Sequence, residues 1–260
     1  VNRSTQQFAY ELNTLMNFTS DVLTGLNPAG ETHPPTIVDS ATQASGGNPA
    51  ADKPWTNASS ALTQDGVGAY VATSNFSTGI FPPLITPSNY LKFTGFNFNL
   101  PNAETILGVY ARIRKKGSGA LQDYCASAGE PIVPQGVVTS IDWSVQLVKG
   151  GSISGTDKAQ SATWNTTTFA DSFYGGNNDL WGLALTPADI NASNFGIAIS
   201  AIASHAAWCA PGIAHKSFHD GNDTHYIDYV ELTVFTTRSA FKNAFRIIGI
   251  KHETGETPFE

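Results

Sequence analysis

Two patterns of apolar residues divide the chain. Over residues 4–25, Phe8, Leu12, Leu15, Met16, Val22 and Leu23 recur among polar residues at spacings of 4, 3, 1, 6 and 1. That spacing predicts one amphipathic helix, with Ser4 or Thr5 as its N-cap and Gly25-Leu26-Asn27-Pro28 as its stop. A lone amphipathic helix is marginal in water, so it must pack on something, either its own β domain or copies of itself. Attachment or oligomerisation through Phe8, Leu12, Leu15 and Met16 is the favoured reading. Residues 26–53 carry Pro28, Pro34, Pro35 and Pro49 with Gly, Ser and Thr and no apolar period, and read as an extended arm with no core element.

From Trp55 onward the period becomes two. Val67–Ala72, Tyr90–Asn99, Ile106–Ile113, Ser140–Val148, Ser161–Phe169, Phe195–Ile202 and Tyr226–Phe235 read as strands, and Phe241–Ile250 as a further one outside the main set. On Ser140–Val148 the alternation puts Ile141, Trp143, Val145 and Leu147 on one face. Tyr174-Gly175-Gly176-Asn177-Asn178-Asp179 reads as a turn needing positive φ. Eight or so strands with no helical pattern between them predict an all-β, antiparallel sandwich. The organisation is then a helix and arm (1–53), a sandwich (54–236), and a C-terminal strand with a polar tail (237–260).

Composition agrees with short strands and many turns: 24 Gly, 14 Pro, 41% apolar and 13% charged residues. The apolar fraction suffices for a core and excludes full disorder, and the scarcity of charge excludes a coiled-coil rod. A net charge of −7 argues against a nucleic-acid surface. The one basic run, Arg112-Ile113-Arg114-Lys115-Lys116, reads as a strand end. No apolar stretch reaches 18 residues, so no membrane span is expected; the opening Val1-Asn2-Arg3 carries no apolar leader, so the expectation is that no signal peptide remains, whether already processed or never used.

The order of several short motifs carries a resemblance. Trp55-Thr56-Asn57-Ala58-Ser59-Ser60-Ala61-Leu62 precedes Asp65-Gly66-Val67-Gly68-Ala69-Tyr70-Val71, followed by Leu91-Lys92-Phe93-Thr94-Gly95-Phe96 and Ile106-Leu107-Gly108-Val109-Tyr110-Ala111-Arg112-Ile113. Val145-Gln146-Leu147-Val148-Lys149-Gly150-Gly151, Trp164 and Tyr174–Gly182 come next, then Asp189–Ile197 and Asp228-Tyr229-Val230-Glu231-Leu232-Thr233-Val234. Over about residues 54–236 this resembles a β-sandwich module recurring in predicted tail and virion proteins of tailed bacteriophages. The resemblance implies a jelly-roll-like fold and a structural or attachment role, and it supplies no catalytic residue. Lys116–Val137 and Ala203–Thr224 depart from the pattern as longer loops, each holding one cysteine, and are expected to decorate one end of the sandwich.

Candidate chemistry is sparse. No P-loop, dinucleotide fingerprint, HExxH or GxSxG motif occurs, so no enzyme and no cofactor is expected. Cys125 and Cys209 form either one disulfide or two free thiols. Sequons start at Asn2, Asn17, Asn57, Asn75, Asn165, Asn191 and Asn222, of which Asn57, Asn75, Asn165, Asn191 and Asn222 are the glycosylation candidates. The polar run His215–His225 makes His215, His219 and His225, with nearby Trp208, the candidates for binding; the three histidines are a weak metal set. Trp55, Trp143, Trp164 and Trp181 read mainly as core anchors, with sugar stacking as the sharper alternative.

The expectation is a non-enzymatic virion structural protein, a capsid decoration, head-fibre or tail-fibre component at a virion surface or otherwise extracellular. Its partners would be copies of itself, other virion proteins and a host-surface glycan. The rivals are an extracellular filament subunit assembled by strand addition, and a carbohydrate-binding module or glycan-active enzyme.

Overall fold

The computed structural model describes residues 30–41, 52–73, 87–118, 122–125, 133–205 and 223–237. The helix expected over 4–25 and the strand expected over 241–250 lie outside them. The described chain is all-β, with two antiparallel sheets and almost no helix. Its strands are β1 (Glu31–His33), β2 (Ile37–Ala41), β3 (Ala69–Thr73), β4 (Tyr90–Thr94), β5 (Ile106–Gly117), β6 (Gln122–Cys125), β7 (Val133–Lys149), β8 (Ser152–Ser154), β9 (Ala170–Gly175), β10 (Gly196–His205) and β11 (Asp223–Thr236). One sheet has the order β1-β11-β5-β9, with β3 also on β11; the other runs β2-β4-β10-β7-β6, with β8 also on β7.

The core lies between the sheets. Leu91 and Phe93 of β4, Ile197 and Ile199 of β10, and Val145 and Leu147 of β7 meet Val109, Ala111 and Ile113 of β5 and Val230 and Leu232 of β11. All are essentially solvent-free. Trp181 is fully buried with its backbone in the left-handed region (φ 57), and its indole N–H donates to the Val109 carbonyl at 2.9 Å. Gly150 and Gly151 (φ 59 and 84) make the two-residue turn from β7 to β8, the backbone twist that tight hairpins favour. Gly196 lets β10 approach β4 closely, because a Cβ there would collide with the Phe93 carbonyl. The short helix α1 (Pro187–Asn191) carries a capping box in which Thr186 and Asp189 bond reciprocally.

Several expectations change. The arm is not free of sheet structure: β1 pairs with β11 and β2 with β4, so residues 31–41 contribute a strand to each sheet. Three to five residues are too few for a period of two to stand out. Residues 161–169 form no strand, whereas β9 occupies 170–175 and takes in Tyr174 and Gly175, leaving the turn to begin at Gly176. Only Tyr90–Thr94 of the segment 90–99 is strand. The two stretches expected as loops hold strand as well: β5 runs through Lys116 to Gly117, β6 lies within the first, β7 begins at Val133, and β10 extends to His205.

Two bulges account for the face of β7 and for the interior near it. Ser200 of β10 faces Ser144 while Ala201 faces Asp142, so Trp143 is an extra residue on β7. On β11, Ile227 faces Lys115 and Tyr229 faces Arg114, so Asp228 is the extra residue. Each bulge reverses which side chains point inward. Val145 and Leu147 face the core, but so do Ser140 and Asp142, and Trp143 is turned out with 44% of its surface exposed. The expected apolar face Ile141-Trp143-Val145-Leu147 is therefore broken at Trp143.

Candidate functional site

Beyond the bulges the inter-sheet space changes character from apolar to polar. Lys115, which the basic run placed at a strand end, points inward from β5 and is 3% exposed. Asp142 of β7 meets it from the opposite sheet, and the Lys115 Nζ touches both Asp142 Oδ1 and the Tyr174 hydroxyl from β9. Three more donors converge on the same carboxylate. The Trp164 indole N–H donates to Oδ1 at 2.9 Å, the Tyr174 hydroxyl to Oδ2 at 2.9 Å, and the Gln160 N–H to Oδ2 at 3.0 Å. The ammonium sits over the rings of Trp164 (4.6 Å) and Tyr174 (5.1 Å).

Burial pushes the Lys115 amine below its ordinary range, with the Asp142 charge acting in opposition. Burial, and then the neighbouring Asp142 charge, push the Tyr174 phenol far above its ordinary range, so it remains a proton donor. Other ion pairs among the described residues have at least one partner open to water. Arg112 joins Asp171 at 3.0 Å and Glu231 at 3.3 Å, and Arg114 joins Asp228 at 3.1 Å, across the outer face of the first sheet. Lys115–Asp142 is the described pair with both members buried.

His225 belongs to the same polar half. It lies inward on β11 rather than in a loop, with Nδ1 2.7 Å from Ser140 Oγ and Nε2 2.6 Å from Thr73 Oγ1. Its ring meets Trp164 edge-on at 5.7 Å. Burial lowers its pKa to about 3, so the imidazole is neutral at neutral pH. Both ring nitrogens are engaged by hydroxyls, and a metal would have to displace one of them. Among the described residues no group of three His, Cys, Asp or Glu side chains comes together.

An open, polar cleft of about 480 Å³ borders this cluster, lined by Lys115, Trp164, Thr139, Asn165, Asp171 and Ser172 among others. The outer face of the first sheet is aromatic as well as charged: Phe173 (47% exposed) stacks on Tyr110 at 5.6 Å, and Tyr70 and Tyr226 lie 6.2 Å apart.

Of the other residues singled out by sequence, Trp208, His215, His219, Cys209, Asn75, Asn222, Phe8, Leu12, Leu15 and Met16 lie outside the described residues. Cys125 ends β6. Asn57 and Asn165 are exposed, although the Asn165 side chain already accepts the N–H groups of Thr167 and Thr168 at 2.8 Å. Asn191 is half-buried, and its amide accepts from the Leu100 N–H and donates to the Leu100 carbonyl, so a glycan there would cost that bridge. Trp55, Trp164 and Trp181 are core, as anchors should be, and Trp143 is not. Sequence reasoning missed Lys115, Asp142 and Tyr174. The one signal was an acid, Asp142, inside an otherwise strand-like run. No protein-family model matches the chain, and no curated protein does either.

Proposed function

We propose that this chain is a non-enzymatic structural protein of a virus particle, built around a jelly roll and acting in assembly and attachment at the particle surface. The strand order carries the reading. Without the added strands β1, β2 and β6, the sheets are β3-β11-β5-β9 and β4-β10-β7-β8. Successive strands then alternate between sheets except at the β7–β8 hairpin, an order that supports the winding of an eight-stranded jelly roll. Viral capsid and lectin domains are among the proteins that use it. The arm strands also favour assembly: β1 and β2 lie at sheet edges, where a strand can be lent as well as kept. In this proposal residues 1–29 form the attachment or oligomerisation element, and the partners are copies of the chain and other virion proteins.

A second reading has its own observation. Trp143 and the Tyr110–Phe173 pair are exposed aromatic surfaces suited to a sugar ring, which fits attachment to a host-surface glycan or a carbohydrate-binding module.

Electron microscopy of the full chain, with its mass by light scattering, separates the readings. A closed oligomer such as a trimer supports the virion component. Open filaments overturn it in favour of a filament subunit assembled by strand addition. A monomer whose glycan binding disappears on Trp143→Ala or Phe173→Ala overturns it in favour of the carbohydrate-binding module.

A further inference from the structure

We propose that Lys115 and Asp142 condense into an intramolecular isopeptide bond, a covalent staple between the two sheets. The observation is their juxtaposition: an amine and a carboxyl from facing sheets, both buried, in contact, and surrounded by Trp164 and Tyr174. Stability alone does not call for such a pair, because a well-packed apolar pair of similar volume serves at least as well as a buried ion pair. Low polarity instead favours moving the proton from ammonium to carboxylate, which turns an ion pair into a neutral nucleophile beside a neutral acid. Fixed proximity then replaces the activation that amide formation needs in water.

The groups around Asp142 fit each step. The Lys115 Nζ lone pair attacks Asp142 Cγ, and the charge that develops on Oδ1 is met by the Trp164 indole N–H, 2.9 Å away. The Tyr174 hydroxyl touches Nζ and lies 2.9 Å from Oδ2, so it can give its proton to the departing Oδ2 hydroxyl and recover one from the attacking nitrogen. The Nζ–Cγ bond forms, the Cγ–Oδ2 bond breaks, and one water leaves. No oxidant or cofactor enters the balance. Lys115 lines the open cleft, which gives that water an exit. The product keeps the Asp142 carbonyl oxygen as acceptor for Trp164. It also removes two buried charges.

Intact mass spectrometry of the reduced, denatured full chain, followed by peptide mapping, tests this. The expected wild-type mass is lower than the sequence mass by one water, with a branched peptide joining the segments around Lys115 and Asp142. Asp142→Asn should lose ammonia instead and arrive at the same final mass as wild type. Lys115→Arg should keep its full mass, and Tyr174→Phe should slow the mass change at least tenfold after refolding. A folded wild-type chain at full sequence mass, with the two segments recovered as separate peptides, overturns the proposal and leaves an ordinary buried ion pair. The result is independent of oligomeric state, so it stands or falls apart from the virion reading.

Discussion

The two halves of the inter-sheet space are built on different physics. In one, Trp181, Phe93, Val109, Leu147 and Leu232 fill the gap with apolar surface, and the single polar atom of Trp181 is spent on the Val109 carbonyl. In the other, Lys115, Asp142, Tyr174, Ser140 and His225 occupy the same layer, and each finds its partners across or along the sheets. Three strands, β5, β7 and β11, serve both. The bulges at Trp143 and Asp228 mark the change. A non-directional core tolerates imprecise neighbours, whereas a buried polar one holds only while every group is paired.

Truncation of the apolar half should have the largest effect. Trp181→Ala removes a wholly buried indole and should cost about 3–5 kcal/mol, read from the shift of the urea midpoint at unchanged slope. Loss of less than about 1 kcal/mol would mean that the site collapses around the gap and that this half is not close-packed.

The polar half should announce itself through pH. His225 binds its proton in the folded chain only near pH 3 but near pH 6.5 when unfolded, so its neutral form stabilises the fold fully above about pH 6.5. As pH falls from there toward 3, stability should drop by up to about 1.4 kcal/mol per unit. His225→Gln should flatten that window in a series of thermal melts. An unchanged slope would assign the acid sensitivity to the carboxylates.

Smaller tests sharpen the contrast. Ser140→Ala withdraws the partner of His225 Nδ1 and should cost about 1–3 kcal/mol, a penalty that an alanine truncation of similar size on the apolar side would not carry through an orphaned nitrogen. Thr186→Ala removes the cap of α1, whose Ile190 belongs to the apolar core, and should cost about 1 kcal/mol. Arg112→Ala, on the half-exposed outer face, should change stability by no more than about 1 kcal/mol, and less in high salt.

Much of the sandwich was legible from alternation alone. Val67–Ala72, Ile106–Ile113, Phe195–Ile202 and Tyr226–Phe235 each fall on a strand, because one wet and one dry face force a period of two. The pattern points to Ser161–Phe169 and not to β9 just after it, since Ala170–Tyr174 mixes Asp171 and Ser172 with Phe173 and lacks a clean alternation of residue types. β1 and β2 are too short to carry a period, and what makes them strands is the edge they pair with.

The all-β class and most of the strand positions are written in the order of residues, since both follow from local backbone preference and from the apolar surface that must leave water. The buried polar half arises only when strands and sheets come together. Whether Trp143 or Asp142 faces inward depends on one residue inserted against a partner strand some sixty positions away, and Lys115 meets Asp142 only once the two sheets are stacked. Alternation along one strand holds no record of either event, because a bulge is a property of the pair of strands and a salt bridge across the core is a property of the pair of sheets.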